Sequence, residues 1–408
     1  MLSRLKGTIL LTAMAALVNS GFAHARDGFS NDEVVLGILN DMTGPYSDVL
    51  GPGLVQSVQW AIDDFGGTLN GKPIKVLNAD TQVKADIAST TARKWIDENK
   101  VDVLLTSAGT AITLAGIAVA KDNDVALLNA GGVSADLSNK QCNALMTHWL
   151  VDTYAAAKLS IKAGTDAGAK TWFFITADYS FGEALQRDAE VEIKRLGGKV
   201  VGSVRAPLGT TDFSSFLLQA KTSGADIVAL ANAGADTLNS LKQAEEFGIR
   251  KGGQNLIGLI TNNTDIYGLG LPVAQGLMVT ESFFYDRDED SKAFAKRFEA
   301  KFKRYPSQNQ VAAYSATLHY LRAVKEANTD SGATVNAQMK KMPVKDFYAI
   351  EGKIRDDGRM IPKYMYLLTA KKPSDAKNAF DIYNLVQAVP GDEAFRPLEA
   401  SECPLVKK

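Results

Sequence analysis

Apolar runs of about five residues, each followed by a longer amphipathic segment, recur along almost the whole chain. A strand that is apolar on both faces has to be covered on both. The pattern therefore points to parallel strands with helices on either side. Glu33–Leu39 reads as the first strand, and Pro52 opens a helix running to about Phe65. Strands at Pro73–Ala79, Asp102–Thr106 and Val125–Asn129 follow, separated by helices at Asp86–Asn99 and Thr110–Lys121. The pattern then restarts. Strands are predicted at Thr171–Thr176, Lys199–Arg205, Asp226–Ala231 and Leu256–Ile260, with helices at Phe181–Leu196, Phe213–Thr222 and Ala235–Phe247. A further strand at Gly276–Glu281 leads to helices at Glu289–Arg304, Gln308–Ala327 and Thr334–Lys341 and a late strand at Ile361–Thr369. The tail beyond Lys371 reads as irregular.

Two tandem βα units of this size each suit one doubly wound domain. The expected fold is α/β, with two doubly wound parallel-sheet lobes joined by a multi-strand hinge. No long flexible linker separates the halves, so the chain is expected to cross near His148, Phe283 and Phe347. That assigns 26–147 plus 284–346 to lobe 1 and 148–283 plus 347–375 to lobe 2. The segment 376–408 is expected to fold back on the hinge or on lobe 1.

The N-terminus carries an export signal. Arg4 and Lys6 precede an apolar run from Gly7 to Val18, about a dozen residues and too short to span a bilayer comfortably. Ala23-His24-Ala25 gives the small-x-small pattern of a cleavage site, so the mature chain is expected to begin at Arg26. No Cys follows the apolar run, and no later segment reaches 18 apolar residues, so no membrane insertion is expected after cleavage. An unanchored exported protein would diffuse away from a cell with one membrane, which favours a periplasm. In such an oxidising compartment the only two cysteines, Cys142 and Cys403, are expected to pair.

Several chemistries are missing. With 45 Lys and Arg against 46 Asp and Glu, no basic excess points to nucleic acid. The mature chain has two histidines, His148 and His319, and no HExxH, CxxC or paired metal spacing, so neither a metal nor another cofactor is expected. Gly66–Lys72 imitates a phosphate-binding loop, but Pro73 stands where Ser or Thr must bind magnesium. It also follows a helix and precedes a strand, so it reads as a helix stop plus a turn. No nucleophile, base and orienting group stand together, and the chain is not expected to be an enzyme.

The loops at the C-terminal ends of the strands are where doubly wound folds bind ligands. The first runs Asn40–Ser47 and contains Tyr46; the next are Thr106–Thr110 and Asn129–Ser134. Their small residues and hydroxyls (Ser107, Ala108, Gly109, Thr110, Ala130, Gly131, Val133 and Ser134) let a ligand approach backbone. The free N–H groups of a first helical turn, with Thr110 or Ser107, can hold a carboxylate without Arg or Lys. Plain helix capping by Ser107 or Thr110 explains the same residues taken singly. The second unit offers Tyr179 and Phe181, then Asn232 and Asp236, then Asn262, with Phe283 at a crossing. Aromatic loop tips suit stacking against a ligand.

These loops resemble the leucine/isoleucine/valine-binding family of type I periplasmic binding proteins, the receptors of certain ABC importers. The resemblance rests on Val35–Tyr46 (VLGILNDMTGPY), Gly51–Gly53, Ser107–Thr110, Asp178–Gly182, Gly276–Thr280 (GLMVT) and Tyr314, in that order and spacing. It implies a bilobed monomer that closes on a small ligand and docks on a membrane permease. It also implies that Thr110 and the Ala108–Ala111 backbone hold a carboxylate, with contacts from Gly131 and the Val133-Ser134 step. Two positions depart from the amino-acid binders. Ala233 stands where they place a Tyr, and Leu259–Asn263 lacks the acidic residue that pairs with an α-ammonium. Asp178, Asp236 and Glu281 remain possible sources of that charge. A non-amino carboxylate, aromatic in character, is therefore expected, with a sensory receptor for a membrane kinase as the alternative role.

Overall fold

The computed structural model describes residues 28–407. The expected export signal, with its expected cleavage after Ala25, lies outside the described residues. Two sheets form the body, parallel except for the short edge strand β2, which runs antiparallel to β3. The first has the order β2-β3-β1-β4-β5-β6, with β1 Val34–Asn40, β2 Thr68–Leu69, β3 Lys72–Asp80, β4 Val103–Thr106, β5 Ala126–Asn129 and β6 Met146–His148. All seven residues of β1 are buried, because β1 sits mid-sheet with helices over both faces. Its register places Leu36 beside Val76 on one side and Val103 on the other. Helices α1 (Gly51–Phe65), α2 (Ala85–Asn99) and α3 (Thr110–Lys121) cover this sheet.

The second sheet has the order β10-β9-β7-β8, with β7 Thr171–Ala177, β8 Lys199–Ala206, β9 Ile227–Ala231 and β10 Asn255–Gly258. Helices α4 (Thr153–Asp166), α5 (Ser180–Arg195), α6 (Ser214–Thr222), α7 (Ala235–Glu246), α8 (Asn263–Leu269) and α9 (Leu271–Ala274) surround it. Strand β11 (Met278–Glu281) then leads to α10 (Glu289–Phe302), α11 (Gln308–Ala327) and α12 (Gly332–Lys341), and α11 packs along α1 of the first lobe.

The late region differs from its sequence reading. The predicted strand Ile361–Thr369 is broken at Pro362, which has no N–H to give a ladder. β12 (Lys353–Ile354) and β13 (Met360–Ile361) form a short hairpin, and β14 (Tyr364–Ala370) begins anew. The tail is not irregular. Tyr383–Pro390 forms β15, antiparallel to β14, followed by α13 (Gly391–Ala394). β15 is an exposed edge with only Tyr383 and Val389 turned inward, so its sequence carries no clean alternation. Together β11, β14 and β15 form a third, antiparallel sheet. Cys142 and Cys403 are disulfide-bonded, with Cα atoms 5.7 Å apart.

Strand β6 and helix α4 also went unread in the sequence. β6 has three residues, and α4 is rich in Ala with a weak polar face. The segment between them is stitched by Arg359, which is 1 % exposed. Its guanidinium donates to the Leu150 and Met360 carbonyls, lies 3.5 Å from the Asp152 carboxylate and stacks over the Phe395 ring. Burial pulls its pKa down to about 10, the Asp152 charge opposing that shift. Such a buried pair is costly to break from one side, by about 3–5 kcal/mol.

The Gly66–Lys72 stretch behaves as the turn the sequence suggests. Gly66 ends α1 with its N–H on Ile62 and Asp63 carbonyls, and Asn70-Gly71 makes the β2–β3 hairpin turn.

Candidate functional site

The C-terminal ends of β1, β4 and β5 face those of β7, β9 and β10 across a cleft. At its centre is a cavity of about 50 Å³, measured as space open to the centre of a water molecule. From the first lobe its wall takes Tyr46, Val49, Leu50, Ser107, Gly109, Gly131, Val133, Gln308 and Asn309. From the second it takes Tyr179, Phe181, Ala233, Gly234, Ile260 and Asn262, with Leu150 at the crossing.

The floor is built by close backbone approach. An added Cβ on Gly131 would stand 1.7 Å from the Ser107 carbonyl oxygen, so only glycine fits between the β4 and β5 loops. Ser107 donates to Asn40 Oδ1 (2.9 Å) and to the Leu39 carbonyl, which fixes it against the first strand. Gly109, with φ of 111°, precedes α3, and no side chain caps that helix. The N–H groups of Thr110, Ala111 and Ile112 come before the first intrahelical bond, and such groups carry the positive end of the helix dipole. The Thr110 hydroxyl oxygen accepts the Ser134 N–H (3.3 Å), leaving its own proton to donate.

Among the described residues, no Asp, Glu, Lys or Arg lines the wall. The three carboxylates that the sequence left open are engaged elsewhere. Asp178 pairs with Arg205 (3.1 Å), both about half exposed. Asp236 accepts the Gly209 N–H (3.1 Å), and burial pushes it up to about 6. Glu281 lies in the antiparallel sheet and accepts Tyr383 OH (3.3 Å); burial raises it to about 8.

Of the expected site residues, Tyr46, Ser107, Gly109, Gly131, Val133, Tyr179, Phe181 and Asn262 meet in this wall. The others do not. Ala108 and Thr110 are buried at the α3 start and are not part of the wall. Ala130 turns its carbonyl to Asn309 (3.4 Å), and Ser134 caps the turn at Asp136. Asn232 is spent inside the second lobe on Thr237 and Ser240, and Phe283 packs its ring on Phe347. Gln308 and Asn309 escaped the sequence reading because they open a helix instead of following a strand. Their signal was the capping box of Ser307 and Gln310, which fixes the start of α11. Gln308 bridges the lobes, accepting from Ser282 (2.9 and 2.8 Å) and donating to Asn262 Oδ1 (3.3 Å).

This architecture matches known proteins. A family model described as periplasmic binding protein covers residues 33–377. The chain belongs to the periplasmic binding protein family. A crystal structure of a periplasmic binding protein from Burkholderia mallei is 44% identical, covers 92% of this chain and all of its own, and superposes with a TM-score of 0.89. A branched chain amino acid ABC transporter periplasmic ligand-binding protein from Burkholderia xenovorans is 37% identical over 92% of this chain and all of its own, with a TM-score of 0.81. Leu/Ile/Val-binding protein homolog 6 of Brucella melitensis is 24% identical over 69% of this chain and 71% of its own. The two doubly wound lobes expected from the strand pattern, and the type I fold implied by the resemblance, are therefore those of the leucine/isoleucine/valine-binding group.

Proposed function

We propose that this binding protein is the solute receptor of an ABC importer of the branched-chain amino acid type, and that it carries a small monocarboxylate with no α-ammonium, aromatic ligands being favoured. The observation that carries the ligand class is the wall without a carboxylate. An α-ammonium closed into it would lose its water and gain no charged partner, at a cost of about several kcal/mol. A carboxylate meets the opposite situation at the uncapped start of α3, where free N–H groups and the helix dipole stabilise an anion. Phe181, Tyr179 and Ile260 give the remaining wall an apolar and aromatic character suited to a ring.

A receptor fits the wall better than a catalyst does. Ser107, its one hydroxyl on an aliphatic side chain, donates to an amide and a carbonyl and so has no base to activate it. The working form is a periplasmic monomer, cleaved after Ala25, with lobes divided near 148, 283 and 347. It delivers its solute to a membrane permease.

Titration calorimetry and thermal melts with benzoate, a hydroxycinnamate and leucine test the ligand class. A ligand at a hundredfold its Kd stabilises by about 2.7 kcal/mol, which a melt resolves easily. Benzoate or hydroxycinnamate is expected to bind one to one and raise Tm, with leucine silent. Tight leucine binding without an aromatic response would sink the ligand class.

A further inference from the structure

The two lobes touch where neither sheet requires it. Helix α7 of the second lobe begins at Gly234 with no side-chain cap, and its Ala235 N–H donates to the Pro45 carbonyl of the first lobe (3.1 Å). Gly234 has φ of 61°, and an added Cβ there would lie 2.6 Å from the Pro45 oxygen and 2.8 Å from the Tyr46 ring. Beside this contact the Tyr46 hydroxyl meets the Tyr179 hydroxyl, the Tyr46 ring being buried and the Tyr179 ring half-buried.

The Pro45-Tyr46 turn is shaped within its own lobe. Asp41 is fully buried and uses both carboxylate oxygens on the turn, taking the Gly44 N–H (2.7 Å) and the Tyr46 N–H (2.8 Å). The backbone N–H of Asp41 in turn donates to Asn40 Oδ1 (2.9 Å), the same oxygen that receives Ser107 from the cavity wall. A chain of hydrogen bonds therefore runs from the ligand site to the turn.

The geometry points to a closure latch: Asp41 pre-forms the Pro45-Tyr46 turn, whose carbonyl caps α7 across the cleft, and Gly234 is the seat that lets the turn come close enough. Asp41 and Gly234 are positioning residues: Asp41 stands outside the cavity wall, and Gly234, which borders it, acts here through the room it leaves for the Pro45-Tyr46 turn. The inference rests on the reading of the protein as a closing receptor, but not on which solute it takes. Opening the cleft strips α7 of its cap, and a side chain at Gly234 keeps the turn from seating. A helix cap supplied from another lobe makes closure detectable at one amide, because the Ala235 N–H has no partner within its own helix.

Amide hydrogen exchange on the full mature chain with no ligand added tests this. In the unmodified chain, Ala235 is expected to exchange at least tenfold more slowly than in an unstructured peptide. Asp41→Ala and Gly234→Ala are each expected to erase that protection while Leu241, deeper in α7, stays protected. Ala235 exchanging at the unstructured rate in the unmodified chain overturns the latch. So does unchanged Ala235 protection in Asp41→Ala. If Leu241 also loses protection in Asp41→Ala, the decision passes to Asp41→Asn, which keeps the shape and one acceptor. A partial loss at Ala235 alone then supports the latch, and any other pattern overturns it. Because no solute is present, a failure here is separate from silence of benzoate in calorimetry.

Discussion

The wall contributed by the first lobe supplies most of the hydrogen-bonding groups, from Ser107, the α3 start, Gln308 and Asn309, while the second lobe supplies Tyr179, Phe181, Ala233 and Ile260 around one amide, Asn262. Physically these are different tasks. A carboxylate must exchange its water for N–H and O–H donors at fixed positions, which a backbone floor held by Gly131 provides. An apolar body only needs contact area and exclusion of water, which rings on the opposite lobe provide as they close. Under the proposed function the first lobe anchors and the second covers, so a carboxylate would sit on the first lobe before closure adds apolar contact.

That contrast can be broken by experiment. The largest effect is expected from Gly131→Ala, because its Cβ would collide with backbone that has no slack. Affinity for any ligand should fall by at least about a hundredfold, with a lower Tm from overpacking, as calorimetry and melts would read. A smaller loss is expected from Ala111→Pro, which deletes one N–H in the first turn of α3, where proline is tolerated. Affinity for a carboxylate should fall by about tenfold, as expected for the loss of one charge-assisted hydrogen bond, with Tm nearly unchanged. If affinity holds there but drops in Phe181→Leu, the anchor lies on the second lobe and the comparison is reversed.

The smallest effect concerns pH. Burial raises Asp236 to about 6, Asp265 to about 7 and Glu281 to about 8 on the second-lobe side, against Asp102 at about 7 beneath the first sheet. Each folded value stands above the ordinary carboxyl value, so the folded chain holds extra protons. The stability they contribute is complete below about pH 4, the ordinary carboxyl range, and is lost as pH rises through 6 to 8. Their contribution is expected to lower Tm from about pH 4 to about pH 8 and to level off above that in a calorimetric series. Glu281→Gln, neutral at every pH, should flatten the upper part of that slope, and an unchanged slope would clear Glu281 of the effect.

How far the sequence reached follows from what each segment buries. Strands such as β1 and β7 are covered on both faces, so their apolar runs are continuous and their positions were readable to within a residue or two. Helix α11 could be bounded at both ends because Ser307 and Asn328 mark them. β15 is an exposed edge strand, and nothing in Asn384–Ala388 announces a core. At the site, loops after strands were legible because the doubly wound topology puts them on one edge. Gln308, Asn309 and Leu150 were not, since they reach the cavity from a helix start and from a chain crossing. The cross-lobe roles of Pro45 and Gly234 depend on how the lobes meet, which no local pattern encodes.

The bond between Cys142 and Cys403 joins positions separated by 261 residues, so it closes most of the polypeptide into one covalent ring. The second-lobe cleft loops, the second sheet and the whole antiparallel sheet belong to that ring, while the first-lobe loops after β1, β4 and β5 precede it. A protease that cuts once inside it leaves a single molecule with two new ends, still tied together, instead of two fragments that drift apart. Nicking of an exposed loop such as that around Gly209 is then survivable damage, visible on a gel only after reduction.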